Sequence, residues 1–157
     1  MPRIGEIRRT TKETDLHVIV ALDGRGESSV HTGIALGLAL ERALGDRAGI
    51  RRYADAMVPL DDALVRAVVD VSGRPYLSYA IDIPKWQMLG DYDVFLTPEF
   101  FRAVVLNAGL TVHLDLIRGD NPHHIVEAAF KAFARALDGA TGLDPRVTGV
   151  PSTKGAL

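Results

Sequence analysis

The residues best suited to chemistry are Asn121-Pro122-His123-His124-Ile125-Val126-Glu127, two adjacent histidines and a glutamate opening a helix. Imidazole nitrogen and carboxylate oxygen both ligate divalent metals, and helical spacing decides which of them meet. His124 and Glu127 stand i, i+3 and His123 and Glu127 i, i+4, so the carboxylate lies beside either ring on one helix face. Successive residues point about 100° apart around the axis, which makes it awkward for both rings to grip one ion. The spacing therefore predicts two ions, or one ion and a substrate. The chain has no cysteine, which excludes disulfides, thiolate metal sites and cysteine nucleophiles and leaves nitrogen and oxygen as the only ligand atoms.

The elements that must hold this cluster follow from composition and pattern. A chain of 157 residues, 47% hydrophobic and 24% charged, suits one compact globular domain. Its net charge of −2, with basic residues dispersed, lacks the electrostatic footprint of a nucleic-acid binder. Met1 to Glu13 has no apolar core of signal-peptide length, and no run approaches the roughly 18 apolar residues of a spanning helix, so a cytoplasmic protein with no membrane partner is expected. Leu16 to Leu22 reads as a strand, followed by turn chemistry at Asp23-Gly24-Arg25-Gly26 and a second short strand at Glu27 to His31. Ala35 to Leu44 reads as a helix with Gly45 as its C-cap. Ala63 to Val71 and Tyr76 to Ile83 flank Ser72-Gly73-Arg74-Pro75 and are expected to pair antiparallel. Thr97-Pro98-Glu99 predicts an N-cap and a helix running to Gly109. Thr111 to Ile117 alternates as a strand, with His113 opposite Val112, Leu114 and Leu116. After Gly119-Asp120-Asn121-Pro122, the last helix runs from His123 to about Leu137. It buries Val126, Ala129, Phe130, Phe133 and Leu137 and keeps Glu127 and Lys131 together on another face. A polar tail, Pro151 to Gly155, follows.

The segment from Asn121 to Phe133 closely resembles the second metal motif of imidazoleglycerol-phosphate dehydratases. Arg9-Thr10-Thr11-Lys12-Glu13-Thr14, Leu22-Asp23-Gly24, Ala43-Leu44-Gly45-Asp46, Pro59-Leu60-Asp61, Ser72-Gly73-Arg74-Pro75-Tyr76-Leu77 and Pro151-Ser152-Thr153-Lys154-Gly155 resemble that family too, in its order. The resemblance implies a manganese-dependent enzyme of histidine biosynthesis that dehydrates imidazole glycerol phosphate to imidazole acetol phosphate. It also implies a homo-oligomer, a trimer or a 24-subunit shell. The implied architecture is α+β, a two-layer sheet-and-helix domain built as an internal repeat. Residues 1–46 form an incomplete first half, and residues 47–157 form the second half with the C-terminal tail.

One departure stands against the agreement. The family carries two metal motifs, one per half, and only the second is present here. Ile34-Ala35-Leu36-Gly37-Leu38-Ala39-Leu40 lines up with Lys131-Ala132-Phe133-Ala134-Arg135-Ala136-Leu137, which puts the counterparts of His123, His124 and Glu127 at Gly26, Glu27 and Val30. None of the three is a histidine, and the Glu127 counterpart is a valine. By the family's plan about 40 residues, one helix, two strands and the start of another helix, are missing between Gly33 and Ile34. Two readings stay open. In one, the functional enzyme contains that segment; in the other, the chain truly lacks it and is a catalytically impaired relative that serves in assembly or in metal or phosphate binding.

The resemblance assigns roles residue by residue. His123, His124 and Glu127 are implied metal ligands, the plain alternative being surface histidines at a helix start. Glu99 stands where many relatives place a histidine ligand, and is equally suited to be an N-terminal acid favoured by the helix dipole. His113, on the strand feeding the metal helix, is a further ligand or a packed polar residue. Arg52, Arg74, Lys131, Ser152 and Lys154 are implied phosphate contacts, since a phosphate demands cations and directed donors. Glu127, Glu13 and Asp61 are implied proton carriers, Glu13 from a neighbouring subunit and Asp61 with turn formation as its alternative. The metal is implied to withdraw electrons from the substrate's imidazole, whose proton is otherwise too weakly acidic for a carboxylate.

Overall fold

A computed structural model of the chain describes residues 3–10, 15–23, 33–83, 88–155 and 157. An antiparallel hairpin, β1 (Ile4–Thr10) and β2 (Asp15–Ala21), is followed by helix α1 (Gly33–Leu44). A second hairpin, β3 (Tyr53–Leu60) and β4 (Ala63–Asp70), leads to β5 (Tyr76–Ala80) and the two-residue strands β6 (Met88–Leu89) and β7 (Tyr92–Asp93). Helix α2 (Leu96–Ala108), β8 (Thr111–Arg118) and helix α3 (Pro122–Thr141) complete the fold. The main sheet runs β3-β4-β8-β5, antiparallel except for the parallel pair β5 and β8. Helix α3 lies across β3 and β4, α1 lies across β1 and β2, and α1 packs on α2.

The α+β, sheet-and-helix architecture expected from the sequence is the one observed. Strand alternation sets its core: Val65, Ala67 and Val69 on β4 and Val112 and Leu114 on β8 are fully buried on one face. They meet a row of small residues on α3, Ala128, Ala132, Ala136 and Ala140, which let the helix approach the sheet closely. Phe101 fills the space between, its ring centre 4.9 Å from that of Phe130 and 5.4 Å from that of Phe133. On the other hairpin the approach is tighter. A β-carbon on Gly5 would fall 1.7 Å from the Ala39 carbonyl oxygen, so only glycine lets α1 seat on β1.

Three expectations are corrected. Ala63 to Val71 and Tyr76 to Ile83 do not pair with each other, because β8 lies between them; β4 is a central strand bonded to β3 and β8, and β5 is an edge strand parallel to β8. The partner of β4 is β3, a strand not among those expected from the sequence; its Pro59 lacks an N–H, which an edge strand tolerates. Thr97 is not the N-cap of α2. Phe95 occupies that position in helical conformation with no side-chain cap bond, while the buried Thr97 hydroxyl bonds the Tyr92 hydroxyl at 2.9 Å. The far end of α2 closes at Gly109, left-handed at φ 65°, whose N–H donates to the Val105 carbonyl. The last helix is longer than expected, ending at Thr141, and Phe130 and Leu137 are only half-buried. The expected strand at Glu27 to His31 lies outside the described residues.

Aligned at their C-terminal residues Leu44 and Thr141, helices α1 and α3 put the counterparts of His123, His124 and Glu127 at Gly26, Glu27 and Val30, which lie outside the described residues.

Candidate functional site

The first turn of α3 is built by Asn121, whose side-chain oxygen accepts the N–H groups of His123 at 2.9 Å and His124 at 3.4 Å. Pro122 sits at the first helical position, where a missing N–H costs nothing. His123 and His124 then diverge as their spacing requires, with ring centres 5.9 Å apart and planes at 63°. Nε2 of His123 lies 3.2 Å from a Glu127 carboxylate oxygen, and Lys131 Nζ approaches the other oxygen at 2.6 Å. Lys131, by hydrogen bond and then by charge, holds the Glu127 carboxyl below its ordinary value, with His123 and His124 adding smaller effects.

His124 turns to the β3–β4 turn. Its Nδ1 lies 2.6 Å from Asp62 Oδ1, and its Nε2 lies 3.5 Å from Asp61 Oδ2. The second oxygen of Asp62 accepts the backbone N–H groups of Asp120 at 2.7 Å and Asn121 at 3.0 Å. The His124 ring bond first, and these two N–H bonds next, hold the Asp62 carboxyl well below the usual carboxylate range. Asp62 was missed in the sequence. The only signal there was its place beside Asp61, and its reach to His124 spans 62 residues of chain.

The remaining expected ligands are elsewhere. Glu99, exposed on α2, pairs with Arg102 at 3.7 Å. His113 points from the outer face of β8, its ring 5.6 Å from Tyr76, opposite Val68 and Ser78 in register. It lies five residues before the strand end that feeds α3, about 17 Å along β8. Among the described residues, no group of three or more His, Asp or Glu side chains stands close enough to hold an ion. The two pairs, His123 with Glu127 and His124 with Asp61, match a hard or borderline divalent ion in donor chemistry and supply two donors each.

The expected phosphate contacts divide between the two ends of the sheet. Lys131 lies with the histidines. Arg52 sits at the opposite end, where its Nε and Nη2 bond Asp70 at 2.9 and 3.3 Å and its Nη1 bonds the Pro151 carbonyl at 2.9 Å. That last bond seats the tail, in which Ser152 Oγ accepts the Lys154 N–H at 3.2 Å. Arg74 is on the adjoining loop, its Nη1 bonded to the Ser72 carbonyl at 3.2 Å. Strand β4, from Ala63 beside the histidines to Asp70 beside Arg52, separates the groups by about 24 Å at ~3.4 Å per residue. Glu13 lies outside the described residues. No described helix is long and apolar enough to cross a membrane.

The model of the family Imidazoleglycerol-phosphate dehydratase matches residues 13–137. The chain is 46% identical to the imidazoleglycerol-phosphate dehydratase of Prochlorococcus marinus, covering 99% of this chain and 96% of that protein. It is 44% identical to that of Geobacter metallireducens over 196 aligned positions and the whole of both. Since 157 residues occupy that alignment, at least 39 positions of the relative face no residue here. The crystal structure of the Staphylococcus aureus enzyme is 49% identical with a TM-score of 0.68, covering 71% of this chain and 64% of that one. The Pyrococcus furiosus structure is 40% identical with the same TM-score of 0.68, covering 80% and 67%. The chain therefore belongs to the imidazoleglycerol-phosphate dehydratase family, hydro-lyases of histidine biosynthesis.

Proposed function

We propose that the chain dehydrates imidazole glycerol phosphate to imidazole acetol phosphate with manganese bound at the start of α3. The observation that carries this reading is the convergence of His123, His124, Glu127 and Asp61 from two elements at one end of the sheet, in a chain of this family. His123 with Glu127 would hold one ion and His124 with Asp61 a second. A metal bound there supplies electron withdrawal from the imidazole ring of the substrate. Glu127, kept ionised by Lys131, serves better as a ligand than as a base. Asp61 is the exposed carboxylate nearest His124 Nε2 and the better placed of the two to move a proton. Glu99 and His113 join such a site only from another subunit.

The phosphate end supports an oligomer. Arg52 spends three of its five N–H groups on Asp70 and Pro151 and keeps two for an anion. With Arg74, Ser152 and Lys154 beside it, this end suits a phosphate, yet it stands farther from His123 of the same chain than a small phosphorylated imidazole reaches. One chain's histidines and another chain's arginines would therefore share a substrate, in a trimer or a 24-subunit shell.

A second reading rests on the positions of the relatives that have no counterpart here and on the two-donor pairs. It makes the chain an impaired relative that binds metal weakly and assembles without turnover. Intact mass and a dehydration assay separate the two. Turnover that requires manganese and is lost in His123→Ala supports the enzyme. No turnover by a protein of 17.0 kDa with manganese present sinks it and leaves the second reading.

A further inference from the structure

We infer that Asp62 is a positioning residue that fixes His124 in the tautomer with hydrogen on Nδ1, so that Nε2 presents its lone pair beside Asp61. This deepens the metal reading of His124 and rests on it for its functional meaning, while the tautomer itself stands on geometry alone.

The two oxygens of Asp62 divide their work. Oδ2 takes the Asp120 and Asn121 N–H groups, which lead the chain into α3, and Oδ1 faces the His124 ring at 2.6 Å. A carboxylate only accepts, so the ring nitrogen at Oδ1 donates. A neutral imidazole carries one N–H, which leaves Nε2 bare. That bare nitrogen lies 3.5 Å from Asp61 Oδ2, so two electron-pair donors face the same exposed space with no hydrogen between them. A divalent cation relieves this arrangement. Asp61 is held there by the turn rather than by a bond, with a left-handed φ of 47° and three-quarters of its side chain in solvent. His123 is set apart, its Nε2 being directed at Glu127 rather than at either aspartate. Asp62 thus acts through His124 and is not itself a ligand.

Asp62→Asn separates this role from a structural one. The amide oxygen of the substituted side chain can keep the Asp120 and Asn121 N–H groups, and its NH2 then faces His124 Nδ1, which must become the acceptor. The tautomer inverts, hydrogen moves to Nε2, and the ligand nitrogen is blocked while the fold contacts persist. Nitrogen-15 spectra of the metal-free full chain, read on the alkaline side of the histidine titration, report which ring nitrogen is protonated. The expected result is Nδ1–H in the parent and Nε2–H in Asp62→Asn. Manganese titration should then show a 10- to 100-fold weaker site in the variant, the range for loss of a ligand-orienting partner. An Nε2–H parent, or a variant that keeps Nδ1–H, overturns the inference, and the parent spectrum decides alone if the variant does not fold. An inverted tautomer with unchanged manganese affinity supports the inference and instead removes His124 from the metal site.

Discussion

Asn121→Ala tests the claim that the first turn of α3, which carries the histidine pair, is capped by the Asn121 side chain. The substitution removes an acceptor shared by the His123 and His124 N–H groups, at an exposed position. Loss of an N-cap costs about 1 kcal/mol, within a range of roughly 0.5–2. For this chain an unfolding entropy of about 2.1 cal/mol/K per residue gives ~330 cal/mol/K in total, so the midpoint should fall by about 3 °C. The damage should be local, because the second turn of α3 is anchored by the buried Ile125, Ala128 and Ala129. Calorimetry measures the midpoint, and hydrogen exchange measures the first turn. Asn121→Ser should recover most of the loss, since serine caps nearly as well. A midpoint unchanged by alanine, or a loss that serine fails to recover, would refute the reasoning, as would a loss spread evenly over α3.

The other expectations follow from burial and charge. Phe101→Ala removes the centre of the aromatic cluster from a fully buried site and should cost about 3–5 kcal/mol by denaturant unfolding, with Phe101→Leu far milder. Asp62 has its carboxyl value lowered in the folded state. Its contribution is therefore complete above the ordinary value of 3.8 and is lost as pH falls below it, so Asp62→Asn should flatten the acid limb of a stability–pH profile. Arg52→Gln breaks the tie to Pro151 and should make residues 151–155 cleavable by protease while leaving Asp70 with no charged partner among the described residues. His113→Ala should leave manganese binding by an isolated chain unchanged where His123→Ala weakens it, a contrast that metal titration reads directly.

What was legible in the chain was what depends on near neighbours. The start of α3, the divergence of His123 and His124 and the approach of Glu127 to one of them follow from helical spacing, and all three appear as read. Strands β2 and β8 and helices α1 and α2 were visible because their apolar periods are strong. Failures came where distant segments compete for the same partner. Tyr76 to Ile83 has the pattern of a hairpin partner for Ala63 to Val71, and β8, arriving some 40 residues later, takes the place between them. Thr97 has the right type and spacing for a cap, but Tyr92 claims its hydroxyl and packing buries it.

The site divides along the same line. The sequence by itself determined the family motifs, the donor types and the missing twin of the metal motif, since each is a matter of residue identity and order. It also led to the expectation that two adjacent histidines serve different partners, because successive residues on a helix point about 100° apart. Only the tertiary structure decided what those partners are. It gave Asp62 to His124 across 62 residues, tied Arg52 to Asp70 and the tail, and set the arginines a strand's length from the histidines. The reason is physical: spacing along a helix is fixed by the backbone, whereas the meeting of a turn, a tail and a helix end is fixed by how the sheet packs.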